Sequence, residues 1–126
     1  MRREIKSLKA PKPVGPYSQA IAAGGFLFIS GQIPLDPESG EIIREPFSRA
    51  VEIVMVNIGE ILKAAGASYD NIVRVVVYLR DLSKFNEFNE IYKKFFREPY
   101  PSRTVVEVRN LPRDSPIEIE AIAFLG

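Results

Sequence analysis

Two segments of this chain are apolar on consecutive rather than alternate residues: Phe26-Leu27-Phe28-Ile29 and Val75-Val76-Val77-Tyr78-Leu79. Successive side chains of a strand point to opposite faces, so such a run needs cover on both faces of its sheet. The chain has 126 residues, one domain's worth, read here as a single domain over 1–126. It has only two helical patterns to supply that cover. Phe47, Val51, Val54, Ile58, Ile61, Leu62 and Ala65 recur at three- and four-residue spacing, with Gly66 placed to stop the helix. Ser83 stands where it can cap a second helix with the stripe Phe85, Phe88, Tyr92, Phe95 and Phe96, ended by Pro99 and Pro101. Two helices cover one face. A second copy of the chain is the economical cover for the other.

The remaining strands follow from alternation and turn residues. Residues 2–8 form a short strand, followed by a loop through Pro11, Pro13, Gly15 and Pro16. Ser18 to Ala23 and Phe26 to Ile33 make a hairpin about Gly24-Gly25, and Pro34 to Gly40 is a further turn. Ile72 to Leu79, Arg103 to Val108 and Ile117 to Leu125 complete the set. The order of strands, helix, strand, helix and two strands predicts an α+β fold, a mixed sheet packed on two helices.

Composition narrows the chemistry. There is no Cys and no His, which removes thiolate nucleophiles, disulfides, Cys-ligated metal sites and the usual base near neutral pH. Any reaction must run on Arg, Glu, Asp, Tyr, Ser, Lys, backbone groups and water. Seventeen Lys plus Arg against sixteen Asp plus Glu give a net charge of +1, no general electrostatic reason to bind nucleic acid or an anionic membrane. No apolar run approaches the roughly 20 residues of a spanning helix, and the N-terminus lacks the apolar stretch of a secretory signal. A cytoplasmic protein is expected.

Several residues could carry chemistry, each with a plainer alternative. Arg103 opens a strand, where its planar fork suits a carboxylate; it could equally be a surface Arg in a screened ion pair. Glu118 and Glu120 share one side of a strand whose other side is apolar, so they are either proton-handling groups or a solvated face. Tyr17 and Ser30 stand beside Gly15 and Gly31, where backbone can approach a ligand; otherwise they are a core tyrosine and a hydroxyl satisfied at a strand end. Asn89 falls on the apolar stripe of the second helix and must find partners, in backbone or ligand. Asp36, Glu38 and Glu41 lack the acidic spacing of a calcium loop and read as a hairpin turn.

The blocks Gly15-Pro16-Tyr17-Ser18-Gln19-Ala20, Ile29-Ser30-Gly31-Gln32-Ile33-Pro34 and Asn57-Ile58 with Ala65-Gly66 occur in that order. Phe85 with Asn89-Glu90-Ile91-Tyr92, Pro101-Ser102-Arg103-Thr104, and Ile117-Glu118-Ile119-Glu120-Ala121 follow them. In order and spacing the chain resembles the RidA (YjgF) family of imine deaminases along nearly its whole length. The resemblance implies a chorismate-mutase-like fold, a homotrimer with sites in the clefts between subunits, and no metal or cofactor. It implies hydrolysis of 2-imino acids (2-iminobutanoate, 2-iminopropanoate) to 2-oxo acids and ammonia. By position, Arg103 would grip the substrate carboxylate and Glu118 would orient or activate water. Tyr17, Ser30, Gly31 and Asn89 would line the site, together with Val105, which stands where many relatives have Cys. Such chemistry suits a chain without His or Cys, because a protonated imine is already electrophilic and needs little beyond an anchor and an oriented water.

Two other functions compete. A ribonuclease or translation inhibitor would favour basic patches and stacking aromatics, whereas this chain is near neutral and its aromatics fall on periodic core faces. A non-catalytic module binding small carboxylates would need Arg103 but not Glu118.

Overall fold

The first hairpin turns on two glycines that both take positive φ, 59° at Gly24 and 82° at Gly25, the region a tight hairpin requires and a side chain resists. In the computed structural model, which describes residues 1–126, it joins β2 (Ala20–Ala23) to β3 (Phe26–Gln32). The other strands are β1 (Arg3–Ile5), β4 (Ile72–Leu79), β5 (Ser102–Glu107) and β6 (Ile117–Phe124), and the helices are α1 (Phe47–Ala64) and α2 (Phe85–Tyr92). The six strands form one sheet in the order β1-β2-β3-β6-β4-β5. Every pairing is antiparallel except β4 with β5. A parallel pair needs a crossover, and α2 supplies it. The α+β mixed sheet with two helices is as expected.

Both helices lie on one face. Leu27 and Ile29 of β3, Val75, Val77 and Leu79 of β4, and Ile117, Ile119, Ala121 and Ala123 of β6 are buried with the α1 stripe Val51, Val54, Ile58, Ile61 and Leu62. Helix α1 ends in a Schellman turn, with the Ala67 N–H on the Leu62 carbonyl, the Gly66 N–H on Lys63, and Gly66 at φ 74°. The opposite face stays open: Phe26, Phe28 and Phe124 are each more than a third exposed, although the rings of Phe26 and Phe124 pack at 5.1 Å.

Three local expectations are corrected. Ser83 does not cap α2. A short helical turn at Leu82–Lys84 precedes the helix, and it is this turn that the Asp81 side chain caps, accepting from the Ser83 N–H at 3.0 Å and the Ser83 hydroxyl at 2.7 Å, while α2 itself starts after Lys84 with no side-chain cap. Helix α2 also stops at Tyr92 rather than at the prolines, and Lys93–Phe95 tighten into a single 3₁₀ turn. Phe95 and Phe96 therefore leave the stripe and pack on Tyr69, at 5.5 and 6.0 Å. Finally, β1 is only three residues long. The Pro34–Gly40 turn is as expected, closed by the Asp36 N–H on the Glu41 carbonyl and the Gly40 N–H on Asp36.

Candidate active site

Arg103 lies on the edge strand β5, paired with Val75, whose side chain is in the core. Register therefore turns Arg103 toward the helices, and α2 receives it. Its Nη1 donates to Asn89 Oδ1 at 2.8 Å, and the guanidinium carbon lies 4.9 Å from the ring centre of Tyr92, 5.6 Å from Phe88 and 5.7 Å from Phe85. None of the chain's five ion pairs involves Arg103. It is not a screened surface pair. Asn89, Tyr92, Tyr100, Pro101 and Arg103 line a cavity of about 500 Å³, as do Glu90 and Lys93, which pair with each other at 2.6 Å. A half-buried cation with free N–H groups and no carboxylate partner is a receptor for an anion. Val105, two residues along the same side of β5, pairs with Val77 and packs on the core.

Glu118 is elsewhere. It pairs with Tyr78 on β4, between the buried Ile117 and Ile119, so it projects from the open face of the sheet. Its carboxylate lies on Gly31: a Cβ there would stand 2.0 Å from Glu118 Oε2. Half-buried, Glu118 is held above its ordinary carboxylate range first by loss of water and then by the Glu120 charge. Glu120 is engaged otherwise, accepting from the Tyr78 hydroxyl at 3.3 Å.

The residues singled out from sequence thus fall into two groups. Arg103, Asn89 and Val105 share the helix-covered face, whereas Gly31 and Glu118 meet on the open one. Within one chain, Arg103 and Glu118 point away from each other across the sheet. Ser30 takes the plainer of its two readings, its hydroxyl donating to the Ser18 carbonyl at 2.6 Å and its N–H to Gln19 at 3.0 Å. Tyr17 is no core residue; it is 49% exposed, with its ring against Gly15. Asn89 binds neither backbone nor an open surface but Arg103 itself.

Two features escaped sequence reading. Gln19 is buried and ties the N-terminal segment down: its Oε1 accepts from the Ser7 N–H at 2.6 Å, and its Nε2 donates to the carbonyls of Ser7 at 3.1 Å and Pro11 at 2.8 Å. Nothing local distinguishes it from a solvated strand-end glutamine. The aromatic surround of Arg103 was half legible, because Phe85, Phe88, Asn89 and Tyr92 mark one helix face. What that face would meet was not.

Residues 7–125 match a family profile described as endoribonuclease L-PSP. A RutC family protein of Pyrococcus abyssi is 53% identical over 116 residues, covering 92% of this chain and 91% of that protein. The human 2-iminobutanoate/2-iminopropanoate deaminase is 44% identical over 126 residues, covering 100% of this chain and 92% of that protein. Among solved structures, RidA from the Antarctic bacterium Psychrobacter matches with a TM-score of 0.93 at 43% identity, covering 97% of this chain and 98% of that one. E. coli TdcF with bound serine matches with a TM-score of 0.93 at 39% identity, covering 98% of this chain and 99% of that one.

Proposed function

This chain belongs to the RidA (YjgF) family, and from that premise we propose that it hydrolyses small 2-imino acids, 2-iminobutanoate and 2-iminopropanoate, to 2-oxo acids and ammonia. The observation that carries the reading is Arg103: a guanidinium held by an amide and three rings, with no carboxylate to neutralise it, beside a cavity of about 500 Å³. A 2-imino acid has one permanent anionic handle, and its C=N carbon is bonded directly to it. Gripping the carboxylate at two points fixes that carbon in space. The human relative's name specifies this activity, and a small amino acid is bound in the TdcF structure.

Arg103 and Glu118 on opposite faces of one sheet argue that the site is completed by a second copy, with Glu118 and Gly31 of one subunit brought to the Arg103 cavity of the next. The working form is a cytoplasmic homotrimer of single-domain subunits, whose association covers the open face carrying Phe26, Phe28 and Phe124. Water held by Glu118 adds to the carbon of the protonated imine, a C–O bond forming as the C=N π pair moves to nitrogen. Glu118 takes a proton from that water and returns one to the nitrogen. The C–N bond then breaks as the carbinol hydroxyl gives its proton to Glu118 and the C=O bond closes; the departing ammonia takes that proton and leaves as ammonium. Each turnover consumes one water and needs no metal or redox partner. A carboxyl with a raised pKa suits both proton transfers.

A coupled assay generating each imine and following its decay, beside an RNA-cleavage assay, tests the reading. Acceleration of imine decay that is lost in Arg103→Ala is expected. Imine decay at the uncatalysed rate, or RNA cleavage indifferent to Arg103, would overturn it.

A further inference from the structure

Four residues of α2 converge on one side chain. Phe85, Phe88, Asn89 and Tyr92 stand at i, i+3, i+4 and i+7, and all four meet the Arg103 guanidinium. Tyr92 is the nearest ring at 4.9 Å. It is only 5% exposed and is packed between Phe88 at 5.2 Å and Phe96 at 4.6 Å. An aromatic face attracts a cation without neutralising it or occupying its N–H groups, as a carboxylate would. Asn89 takes a hydrogen of Nη1, and the remaining donors stay available to a ligand in the cavity.

We propose that Tyr92 is a positioning residue for carboxylate capture, its braced ring holding the Arg103 guanidinium in the orientation that turns its free donors toward the cavity. The inference rests on Arg103 being the carboxylate grip. A long, flexible stem that is ordered before the ligand arrives loses less freedom on binding. The Tyr92 hydroxyl is buried and has no hydrogen-bond partner. Out of reach of solvent, it contributes no contact to the ligand, and an unpartnered buried hydroxyl only costs stability. The ring therefore carries the role, and phenylalanine at this position should serve it.

The test uses the full chain in its native assembly and 2-oxobutanoate, the product of the proposed reaction, as a non-reacting probe. Calorimetric titration would compare wild type with Tyr92→Leu, Tyr92→Phe and Phe85→Leu, with unfolding temperatures and separate kcat and KM for 2-iminobutanoate. Tyr92→Leu should bind the probe roughly 3- to 30-fold more weakly, the span of a cation–π contact, with most of the kinetic loss in KM. Tyr92→Phe should recover most of that loss. Phe85 is only half-buried, so Phe85→Leu should fold and lose roughly 2- to 5-fold; should Tyr92→Leu not fold, Tyr92→Met, closer in volume and equally without a ring, takes its place. Wild-type binding in Tyr92→Leu, or Tyr92→Phe as weak as Tyr92→Leu, would overturn the role assigned to the ring. A wild type that binds 2-oxobutanoate but leaves the imine untouched would remove the deaminase reading, while the same binding series still decides the positioning role.

Discussion

Arg103 and Lys are not interchangeable here. Arg103→Lys preserves charge but exchanges a planar fork for a point donor that cannot lie flat against Tyr92 while holding Asn89. Both Arg103→Lys and Arg103→Ala should lose roughly 2–5 kcal/mol of transition-state binding, tens to thousands of fold in kcat/KM, with unfolding temperature little changed. Full activity in the lysine variant would remove Arg103 from the site. Glu118 supplies a pH signature. Its folded pKa lies above the ordinary 4.5, so the native state holds more protons than the unfolded chain between that value and the folded one. The stabilisation this represents is complete below 4.5 and lost as pH rises through the folded pKa. Glu118→Gln should therefore melt higher than wild type at neutral pH, an advantage that fades in acid. Its turnover should fall far more than its carboxylate affinity, and the acid limb of the wild-type rate profile should vanish with it. Glu120→Gln, whose carboxylate is held by Tyr78, should change turnover much less.

Strands β3 and β6 bring Gly31 and Glu118 together, and the contact is close enough to test. A Cβ at Gly31 would meet the Glu118 carboxylate, the movable end of a flexible side chain, rather than backbone. Gly31→Ala should therefore fold with nearly unchanged thermal stability while displacing the carboxylate, so turnover falls and the raised pKa shifts. A large drop in melting temperature with residual turnover intact would show that Gly31 serves the pairing of β3 and not Glu118. The pairing is irregular here, the β3–β6 register shifting between Ile29 and Gln32. A bulge of this kind re-aims side chains. Here the Ser30 hydroxyl donates to the Ser18 carbonyl.

Across the molecule, the open sheet face is where the proposed assembly is tested. Phe26, Phe28 and Phe124 gather there, half in water, on the face that also carries Glu118. A contiguous apolar surface of this sort marks an interface. Phe28→Glu should leave the helix-covered core intact but convert the proposed trimer to smaller species by light scattering. On the proposed shared site, activity should fall with it. A stable, fully active monomer would defeat both the trimer and the shared site.

What local sequence determined is what neighbours within a few residues decide. Periods of two and of three to four residues marked the strands and helices, Gly24-Gly25 the hairpin and Gly66 the helix stop. Even the inward side of β6 was legible, because Ile117 and Ile119 leave Glu118 and Glu120 facing the other way. What only the tertiary structure decided is how separate elements register against one another. Ser102-Arg103-Thr104-Val105-Val106 has no clear alternation, so the face taken by Arg103 depends on its pairing with Val75. Position along β4 is itself shifted by an irregularity between Ile72 and Arg74, which leaves Val73 and Arg74 both exposed. The same holds for Gln19, whose partners lie 8 to 12 residues away along the N-terminal segment. A side chain's parity is a property of its own strand. Whether two side chains share a face depends on the register between strands, set by hydrogen bonds between residues far apart in the chain.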